Sequence, residues 1–513
     1  MLNYKKISER GFEMDKKETQ TDDSTMLSTE YEDNIETFVR YTVVRDALSD
    51  HFSGFINLAV EEKKLDSQFS IVQKLVTIIP VSNKSREKFR TLCYNTGEES
   101  NHHRWLYGYS DLDSAVAFLQ TTPVQERLSS GSSLRAGYFH TPVIVHGADS
   151  SITDVHTFDS IEFYGGIMDK LYNPRYAISY AEDQDSIVFN SSIKNLYSFN
   201  TTINGENIRI ILFIRASHVI SDEVPDLRNN ICSSLRFEFE NDKTLDDIGK
   251  YYNYALRLFQ FCTGHLNVRS NICLFNSKLS NSPIYVRMQD EYEDYVNDFL
   301  KLKRVIGLLS LGERLPKLLS LLNDEEIKPY IEFLPLANRF VGLINYTQIT
   351  DLCVSFENEY KNLDTKKNPT IIQEAKKLTF DLLRRIDESS VSEVVKNKAQ
   401  GIINGNLRNF SLSLKEKIAY IYERFKVEMS HITEQHEHDK YGITYFYTEE
   451  FKKKIKKFTQ IRGSAAHAGI QWNGGEDIFL HLVLLIYYSV LSRAGYPDDD
   501  CTRILSWLFI YKF

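Results

Sequence analysis

The chain has 513 residues, 42% of them hydrophobic and 26% charged, a composition typical of a globular protein with ample apolar material for a core. The formal net charge of -9 argues against a uniformly basic nucleic-acid coat, although local basic patches remain compatible with nucleic-acid binding. The six cysteines are scattered and form no CxxC pair, which argues against a disulfide framework or a zinc knuckle.

The N-terminal residues 1–28 are polar and charged with little apolar periodicity, and we interpret them as a mobile tail. They lack the apolar segment of a secretory signal. The longest apolar run, Ile478 to Leu491, is too short to span a bilayer and predicts a buried helix. We therefore expect a cytoplasmic protein with no membrane partner.

Residues 29–285 are rich in short β-branched and aromatic segments bounded by Gly, Pro, Asn or Ser, which predicts strands. The clearest segments are residues 54–60, 69–72, 75–81 and 208–214. Near the end of this region, apolar residues from Leu245 to Phe261 recur at helical spacing, and Thr263-Gly264 ends the pattern. The region is predicted to be a β-rich sensing or regulatory domain with at least one packed helix.

Residues 286–513 show helical periodicity, so the predicted fold class is α+β: a β-rich N-terminal domain followed by an all-α domain. The predicted helices are 305–321, 327–346, 349–362, 371–387, 412–433, 448–466 and 478–494. Loops are predicted at Asn368-Pro369, Asn404-Gly405-Asn406, Tyr441-Gly442 and Asn473-Gly474-Gly475.

A basic amphipathic helix that ends in Arg462 and His467 is the strongest candidate for chemistry. At about 100° per residue, the two side chains lie about 140° apart on a regular helix. Gly463 and Gly469 can loosen the local geometry, and a second copy of the domain can bring two such pairs into one cleft, so the motif predicts a dimer. Histidine titrates near neutral pH and can exchange a proton with a ribose 2′-hydroxyl, while arginine can stabilise a phosphate that gains charge. The lysines before the motif, Lys452, Lys453, Lys454, Lys456 and Lys457, are candidates for holding an RNA backbone.

Each of these features also has a structural interpretation. A histidine near a helix end is commonly structural, and a lysine run commonly forms a solvated helix face. His431, Glu434, His436, Glu437, His438 and Asp439 match no standard zinc spacing, so we predict a polar loop and no metal. Cys262 lies on an apolar helix face and is predicted to be a core residue. No Walker A, GxSxG, GxGxxG or HExxH motif occurs.

The block KKFTQIRGSAAHAG resembles the HEPN superfamily, and more narrowly the HEPN domain of ApeA-like abortive-infection proteins. Residues 406–418 and the acidic helix around Ser355-Phe-Glu-Asn-Glu-Tyr are similar to other parts of that domain, with Glu357 at the family's acidic position. The β-rich half resembles the domain that precedes HEPN in these proteins, through residues 163–172 and 258–264.

This resemblance implies a dimeric helical bundle that cleaves RNA without a metal or cofactor, with Arg462 and His467 as the catalytic pair. It implies 2′,3′-cyclic phosphate and 5′-hydroxyl ends and a role in antiphage defence. Because free ribonuclease activity would harm the host, we predict that the N-terminal domain restrains the enzyme until a phage-derived activator binds there. Active members often place Asn, Asp or His directly after the arginine, whereas this chain has Gly463 there. Either Ser464 supplies the polar group instead, or the ribonuclease activity is weak or conditional. The alternative is a catalytically inactive HEPN-type module that binds nucleotide or protein.

Overall fold

The computed structural model describes residues 51–58, 63–72, 74–81, 104–110, 114–122, 124–128, 135–148, 152, 154–174, 178–180, 187–189, 197–216, 231–264, 268–288, 305–326, 346–363, 369–407, 414–434, 455, 456, 458 and 476–509. All of them belong to one compact unit, Tyr41–Phe513. The predicted tail, residues 1–28, lies outside the described residues. Within the described part, the fold combines a large antiparallel sheet with several helices, so the mixed α+β prediction is confirmed.

Fourteen described strands form one antiparallel sheet, in the order β12-β13-β14-β9-β15-β16-β8-β5-β4-β1-β2-β3-β7-β6, and β10 pairs with β11 separately. The strands are β1 His51–Leu58, β2 Lys63–Val72, β3 Leu75–Pro80, β4 Arg104–Ser110, β5 Ala115–Gln120, β6 Gln125–Leu128, β7 Arg135–His140, β8 Val143–Gly147, β9 Thr157–Tyr164, β10 Ile178–Tyr180, β11 Ile187–Phe189, β12 Tyr197–Ile203, β13 Glu206–Ala216, β14 Ile231–Thr244, β15 Asn271–Asn276 and β16 Ser280–Met288. Of the four strand segments singled out in the sequence, 69–72 and 208–214 lie on β2 and β13. Segments 54–60 and 75–81 lie on β1 and β3 up to Leu58 and Pro80; residues 59 and 60 lie outside the described residues, and Val81 follows the end of β3.

Apolar and charged residues alternate along β13, so the two kinds of side chain lie on opposite faces of the sheet. Ile208, Ile210 and Leu212 are buried on one face, and Ile210 lies opposite Phe237 of β14. On the other face, Arg209 lies opposite Glu238, and the two side chains form an ion pair at 3.2 Å. The period of two along the strand therefore sends apolar side chains toward the helices and charged ones away from them.

Helix α2, Ile248–Thr263, covers the apolar face of the sheet. Before it, the Asp247 carboxylate accepts hydrogen bonds from the backbone N–H and hydroxyl of Thr244, at 3.0 and 3.1 Å. After it, Gly264 has a φ of 67°, a left-handed conformation that glycine adopts without strain. The helix predicted from Leu245 to Phe261, with its stop at Thr263-Gly264, is thus confirmed. A short helix α1, Met168–Leu171, follows β9.

The far end of the sheet encloses a second, smaller apolar cluster that includes Phe69, Ile78, Phe118 and Phe139. The rings of Phe69 on β2 and Phe118 on β5 stack with centroids 5.9 Å apart, although β1 and β4 separate these strands in the sheet. Neighbouring strands lie about 4.8 Å apart, so a flat sheet would hold the two rings much farther from each other. The sheet therefore curls over at this end.

The described helices after the sheet are α3 Leu308–Leu311, α4 Leu315–Asn323, α5 Tyr346–Asn362, α6 Pro369–Asp387, α7 Glu393–Leu407, α8 Leu414–Glu434, α9 Glu476–Arg493 and α10 Asp498–Phe509. Helices α5, α8, α9 and α10 pack together, whereas α6 and α7 pack against each other. Helix α9 is buried on all sides from Leu482 to Val490, as its apolar run predicts. Among the described residues, no helix combines the length and apolar character that crossing a membrane requires.

The helical prediction is wrong at one loop and omits two helices, and other predicted segments lie outside the described residues. The loop predicted at Asn404-Gly405-Asn406 is wrong, because α7 continues to Leu407; α7 and α10 were both missed as helices. The predicted helix 327–346 and the loops at Tyr441-Gly442 and Asn473-Gly474-Gly475 lie outside the described residues, apart from Tyr346 at the start of α5.

One continuous apolar cluster joins the sheet to the helices across the predicted boundary at residues 285 and 286. The Phe261 ring of α2 stacks on Tyr487 of α9, with centroids 4.7 Å apart. The Ile306 backbone N–H donates a hydrogen bond to the carbonyl of Cys262 on α2 at 2.8 Å. Helix α2 thus contacts both the sheet and the helical region.

Candidate functional site

The predicted catalytic pair, Arg462 and His467, lies outside the described residues, as do Gly463 and Ser464. Four of the five predicted RNA-binding lysines, Lys452, Lys453, Lys454 and Lys457, also lie outside them. The residues that the structure does place are Lys456, shortly before the motif, and Glu357 on α5.

The segment that leads to the motif is helical at Ile455, Lys456 and Phe458. Ile455 and Phe458 are buried in the large apolar cluster, at 1% and 0% exposure, whereas Lys456 is exposed. Residues three apart share a helix face, so the apolar side of this segment is anchored in the core and Lys456 points away from that side. This matches the amphipathic pattern predicted for the basic helix.

Glu357 lies on α5 and is half-buried. The acidic residue of α5 that reaches the interior is Glu359, two positions further on and 1% exposed. Two steps on a helix turn about 200°, so these two carboxylates point to nearly opposite sides of α5. The side that carries Glu359 is the one that contacts α9.

Glu359 is held by two side chains of α9. The Ser489 hydroxyl donates to one carboxylate oxygen at 2.6 Å, and the Arg493 guanidinium donates to the other at 2.6 Å. Burial raises the pKa of the Glu359 carboxyl, and the charge of Arg493 and the two hydrogen bonds oppose that rise. A buried carboxylate that keeps a cation and a hydroxyl as partners fixes how α5 lies on α9, because removing either partner leaves an uncompensated buried group.

Aromatic contacts complete this helical core. Tyr360 of α5 meets Tyr420 of α8 edge to face at 5.4 Å, and Phe425 of α8 lies 5.5 Å from Tyr488 of α9. Such pairs add to the stability that area burial gives. Together with the Glu359 contacts, they fix α5, α8 and α9 as a frame, and the buried Ile455 and Phe458 belong to the same apolar cluster.

A second buried acid, Glu162, lies in the sheet, on the face opposite α2. It accepts hydrogen bonds from Arg236 at 2.8 and 3.1 Å and from the Ser234 hydroxyl at 2.8 Å. The Arg236 guanidinium also lies over the rings of Phe213 and Phe275, 5.1 and 4.6 Å from their centroids. These partners neutralise Glu162 and hold Arg236 between two rings, an arrangement suited to tying strands together.

The structure also bears on Cys262 and on the histidine and acidic residues between His431 and Asp439. Cys262 is fully buried on α2, and burial raises the pKa of its thiol, so it is an inert core residue as predicted. His431 and Glu434 are in the last turn of α8, while His436, Glu437, His438 and Asp439 lie outside the described residues. Within the part of the chain that the structure describes, no group of three or more His, Cys, Asp or Glu residues could hold a metal ion.

Glu359, Ser489 and Arg493 were not predicted as site residues, although the spacing of apolar residues around Glu359 carried a signal for its burial. Glu359 follows the buried Leu352 by seven residues and Phe356 by three, which places it on the apolar face of α5. A charged residue on such a face needs a buried partner.

Comparisons with protein-family models, with curated proteins and with solved structures each found no match for this chain.

Proposed function

We propose that the chain is a metal-independent HEPN-type endoribonuclease that acts in antiphage defence by abortive infection. The observation that carries this proposal is the Arg462–His467 motif at the end of a basic amphipathic helix, in the sequence block that resembles the HEPN superfamily. Its proposed fold context is an all-α HEPN-type bundle that includes α5, α8, α9 and α10.

The packing before the motif supports the proposal. Ile455 and Phe458 anchor the preceding segment in the core while Lys456 is exposed. The side chains of a catalytic pair must be held in position to within a fraction of an ångström. Anchoring of the preceding segment in the core would help to hold the motif in place. An exposed lysine beside the motif suits contact with an RNA backbone, as proposed for Lys452, Lys453, Lys454 and Lys457.

The proposed reaction uses the ribose 2′-hydroxyl as nucleophile. His467 takes the proton of that hydroxyl or gives one to the departing 5′-oxygen, and Arg462 stabilises the charge that develops on the phosphate. The 2′-oxygen–phosphorus bond forms as the 5′-oxygen–phosphorus bond breaks, which leaves a 2′,3′-cyclic phosphate and a 5′-hydroxyl. DNA lacks the nucleophile and should not be cut.

A homodimer through the helical region would bring two copies of the motif into one cleft. Unrestrained cleavage would harm the host, so we propose that the sheet region holds the enzyme inactive until a phage-derived activator binds. The continuous core between α2 and α9 supports such coupling, because a change in the sheet can reach the bundle through Phe261 and Tyr487.

The second candidate is a catalytically inactive HEPN-type module that binds nucleotide or protein. Gly463 favours it, because glycine stands where active members often have a polar residue. Glu357 and Ser464 remain the proposed supporting residues of the active alternative.

The test is incubation of purified wild type, Arg462→Ala and His467→Ala with total bacterial RNA in excess EDTA, followed by end-group analysis. Arg503→Ala and His156→Ala serve as matched controls, because both side chains are more than half exposed and lie outside the motif. Circular dichroism checks that each variant is folded. We expect cyclic-phosphate ends from wild type and both controls, and a loss of at least about 100-fold in the two motif variants.

Extract from phage-infected cells separates a restrained enzyme from an inactive module. Cleavage that begins only after the extract is added, and that needs His467, would support restraint. Equal cleavage with and without the extract would contradict restraint. Absence of His467-dependent cleavage under both conditions would favour the binding module.

A further inference from the structure

Strand β4 carries two aromatic side chains on the face of the sheet that points away from the smaller apolar cluster. Leu106 is buried in that cluster, whereas Trp105 and Tyr107 on either side of it are half-buried on the opposite face. Residues two apart on a strand share a face and lie about 6.8 Å apart, so the two side chains are neighbours. Tryptophan and tyrosine that stay partly exposed are common anchors of binding surfaces.

Two aspartates lie beside these rings. The carboxylate of Asp246, just before α2, accepts a hydrogen bond from Trp105 Nε1 at 2.9 Å. Burial raises the pKa of the Tyr107 hydroxyl, and the charges of Asp246 and then Asp154 raise it further, so both carboxylates lie close to Tyr107. We call Trp105, Tyr107, Asp154 and Asp246 the acidic aromatic patch.

Local contacts hold the patch in place before any partner binds. The backbone N–H of His156 donates a hydrogen bond to Asp154 Oδ1 at 2.8 Å, which fixes the aspartate in a turn. The His156 imidazole lies against one side of the Tyr107 ring, with centroids 3.7 Å apart. The hydrogen bond from Trp105 fixes Asp246 in the same way. Side chains that are already ordered lose little conformational freedom on binding, which favours affinity.

The negative charge of the patch is not balanced by neighbouring cations. Among the residues that the structure describes, neither Asp154 nor the other aspartate of the patch has a lysine or arginine partner. Asp154 lies 3.8 Å from the His156 imidazole, and 43% of its side chain is exposed. By contrast, Glu162 in the same sheet pairs with Arg236. The patch therefore combines carboxylates that lack a permanent counter-charge with aromatic rings whose faces attract cations.

We propose that the acidic aromatic patch binds a basic segment of a partner protein, whose arginine side chains pair with Asp154 and Asp246 and lie against the Trp105 ring. A guanidinium group is planar and permanently charged, and it can donate two parallel hydrogen bonds to a carboxylate or stack on an aromatic face. This proposal goes beyond the proposed ribonuclease activity and does not rest on it.

The charge and the openness of the patch argue against other ligands. Its carboxylates repel the phosphates of RNA and of lipid headgroups. A single small cation on an open surface makes few contacts and binds weakly, whereas several arginines on one chain bind together. A basic polypeptide segment therefore fits the patch better than a small amine or a nucleic acid.

Fluorescence anisotropy of the labelled peptide Arg-Ser-Arg-Ser-Arg-Ser with the full chain, at about 0.15 M salt, tests the proposal. The variant Asp154→Asn/Asp246→Asn removes both charges, and the amide oxygens of the asparagines can still accept the hydrogen bonds that hold the aspartates. Glu325→Gln/Glu326→Gln removes two charges from exposed positions after α4, so both double variants have the same net charge. Trp105→Leu removes the aromatic ring, and circular dichroism checks that each variant is folded.

We expect the wild type and the glutamate control to bind the peptide alike. The aspartate variant and Trp105→Leu should each raise the dissociation constant by roughly 10-fold or more. A wild type that binds the peptide no more tightly than its acidic counterpart, with Glu in place of Arg, would overturn the proposal.

Equal weakening by the glutamate control would also overturn it, because net charge alone would then attract the peptide. So would a Trp105→Leu variant that binds as tightly as the wild type. If ethylguanidine binds as tightly as the peptide, the patch takes a small cation and the proposal of a basic segment is wrong. RNA cleavage by the same variants is a separate readout, so failure of the ribonuclease proposal leaves this result interpretable.

Discussion

At the scale of single residues, buried charges determine how elements meet in both halves of the molecule. Glu162 in the sheet and Glu359 on α5 are fully buried, and each keeps an arginine and a serine hydroxyl as partners. The proposed catalytic pair, Arg462 and His467, rests on a local sequence pattern. Partners far apart in sequence, such as Glu359 and Arg493, become visible only once the fold brings α5 to α9.

The Glu359–Arg493 pair should behave as one unit in stability measurements. Arg493→Met or Glu359→Gln alone leaves one buried partner without its counter-charge and should lower the free energy of unfolding by about 3–5 kcal/mol. The double variant should cost clearly less than the sum of the two single variants. Urea unfolding of the four proteins measures the coupling. Additive losses would show that the pair does not hold α5 to α9.

Glu206 should make stability depend on pH. Its partial burial alone would raise the pKa, but hydrogen bonds from Lys243, Lys250 and Tyr251 outweigh that and lower the pKa of the Glu206 carboxyl to about 2. Because the folded pKa is below the ordinary value of 4.5, the stabilisation is present above pH about 4.5 and is lost as pH falls toward 2.

Glu206→Gln should therefore be less stable than wild type near neutral pH, by an amount on the order of 1 kcal/mol because solvent screens the pair. The difference should shrink as the pH falls from about 5 toward 2. Urea midpoints across that range check this. Asp242→Asn, which removes the partner of the exposed Lys278, is the control and should show a smaller effect. A Glu206→Gln difference that is constant with pH would contradict the assignment.

At the scale of elements, local patterns predicted α2 and segments of the four strands β1, β2, β3 and β13, because alternation and end signals act within one segment. The turn between β12 and β13 is another local case, since Asn204 and Gly205 both have positive φ, at 50° and 81°, as a tight hairpin requires. Helix α7 was missed because Gly401 and Asn404-Gly405-Asn406 disfavour a helix locally. Its packing against α6 outweighs that preference, and only the tertiary structure supplies this information.

At the scale of the whole molecule, the strand order could not be predicted from the sequence. β9 lies between β14 and β15, and β16 pairs with β8, so six of the 13 neighbouring pairs in the sheet join strands that are not consecutive along the described chain. The continuity of the core is equally non-local. The change from strand to helix patterns after residue 285 predicts two domains, yet Phe261 and Tyr487 stack across that boundary. Local periodicity reports the type of element and carries no signal for a core shared between two regions.

The shared core predicts that the sheet and the helices lose stability together. Phe261→Ala removes a fully buried ring between them and should lower the free energy of unfolding by about 3–5 kcal/mol. Hydrogen exchange should then accelerate in β14 and in α9 to a similar degree. Phe118→Ala is the matched control, because it removes an equally buried ring from the smaller cluster at the curled end of the sheet. It should accelerate exchange first in β2, β3 and β5. If Phe261→Ala accelerates exchange in α9 while β14 stays protected, the sheet and the bundle unfold independently, and coupling through α2 is too weak for the sheet to restrain the bundle.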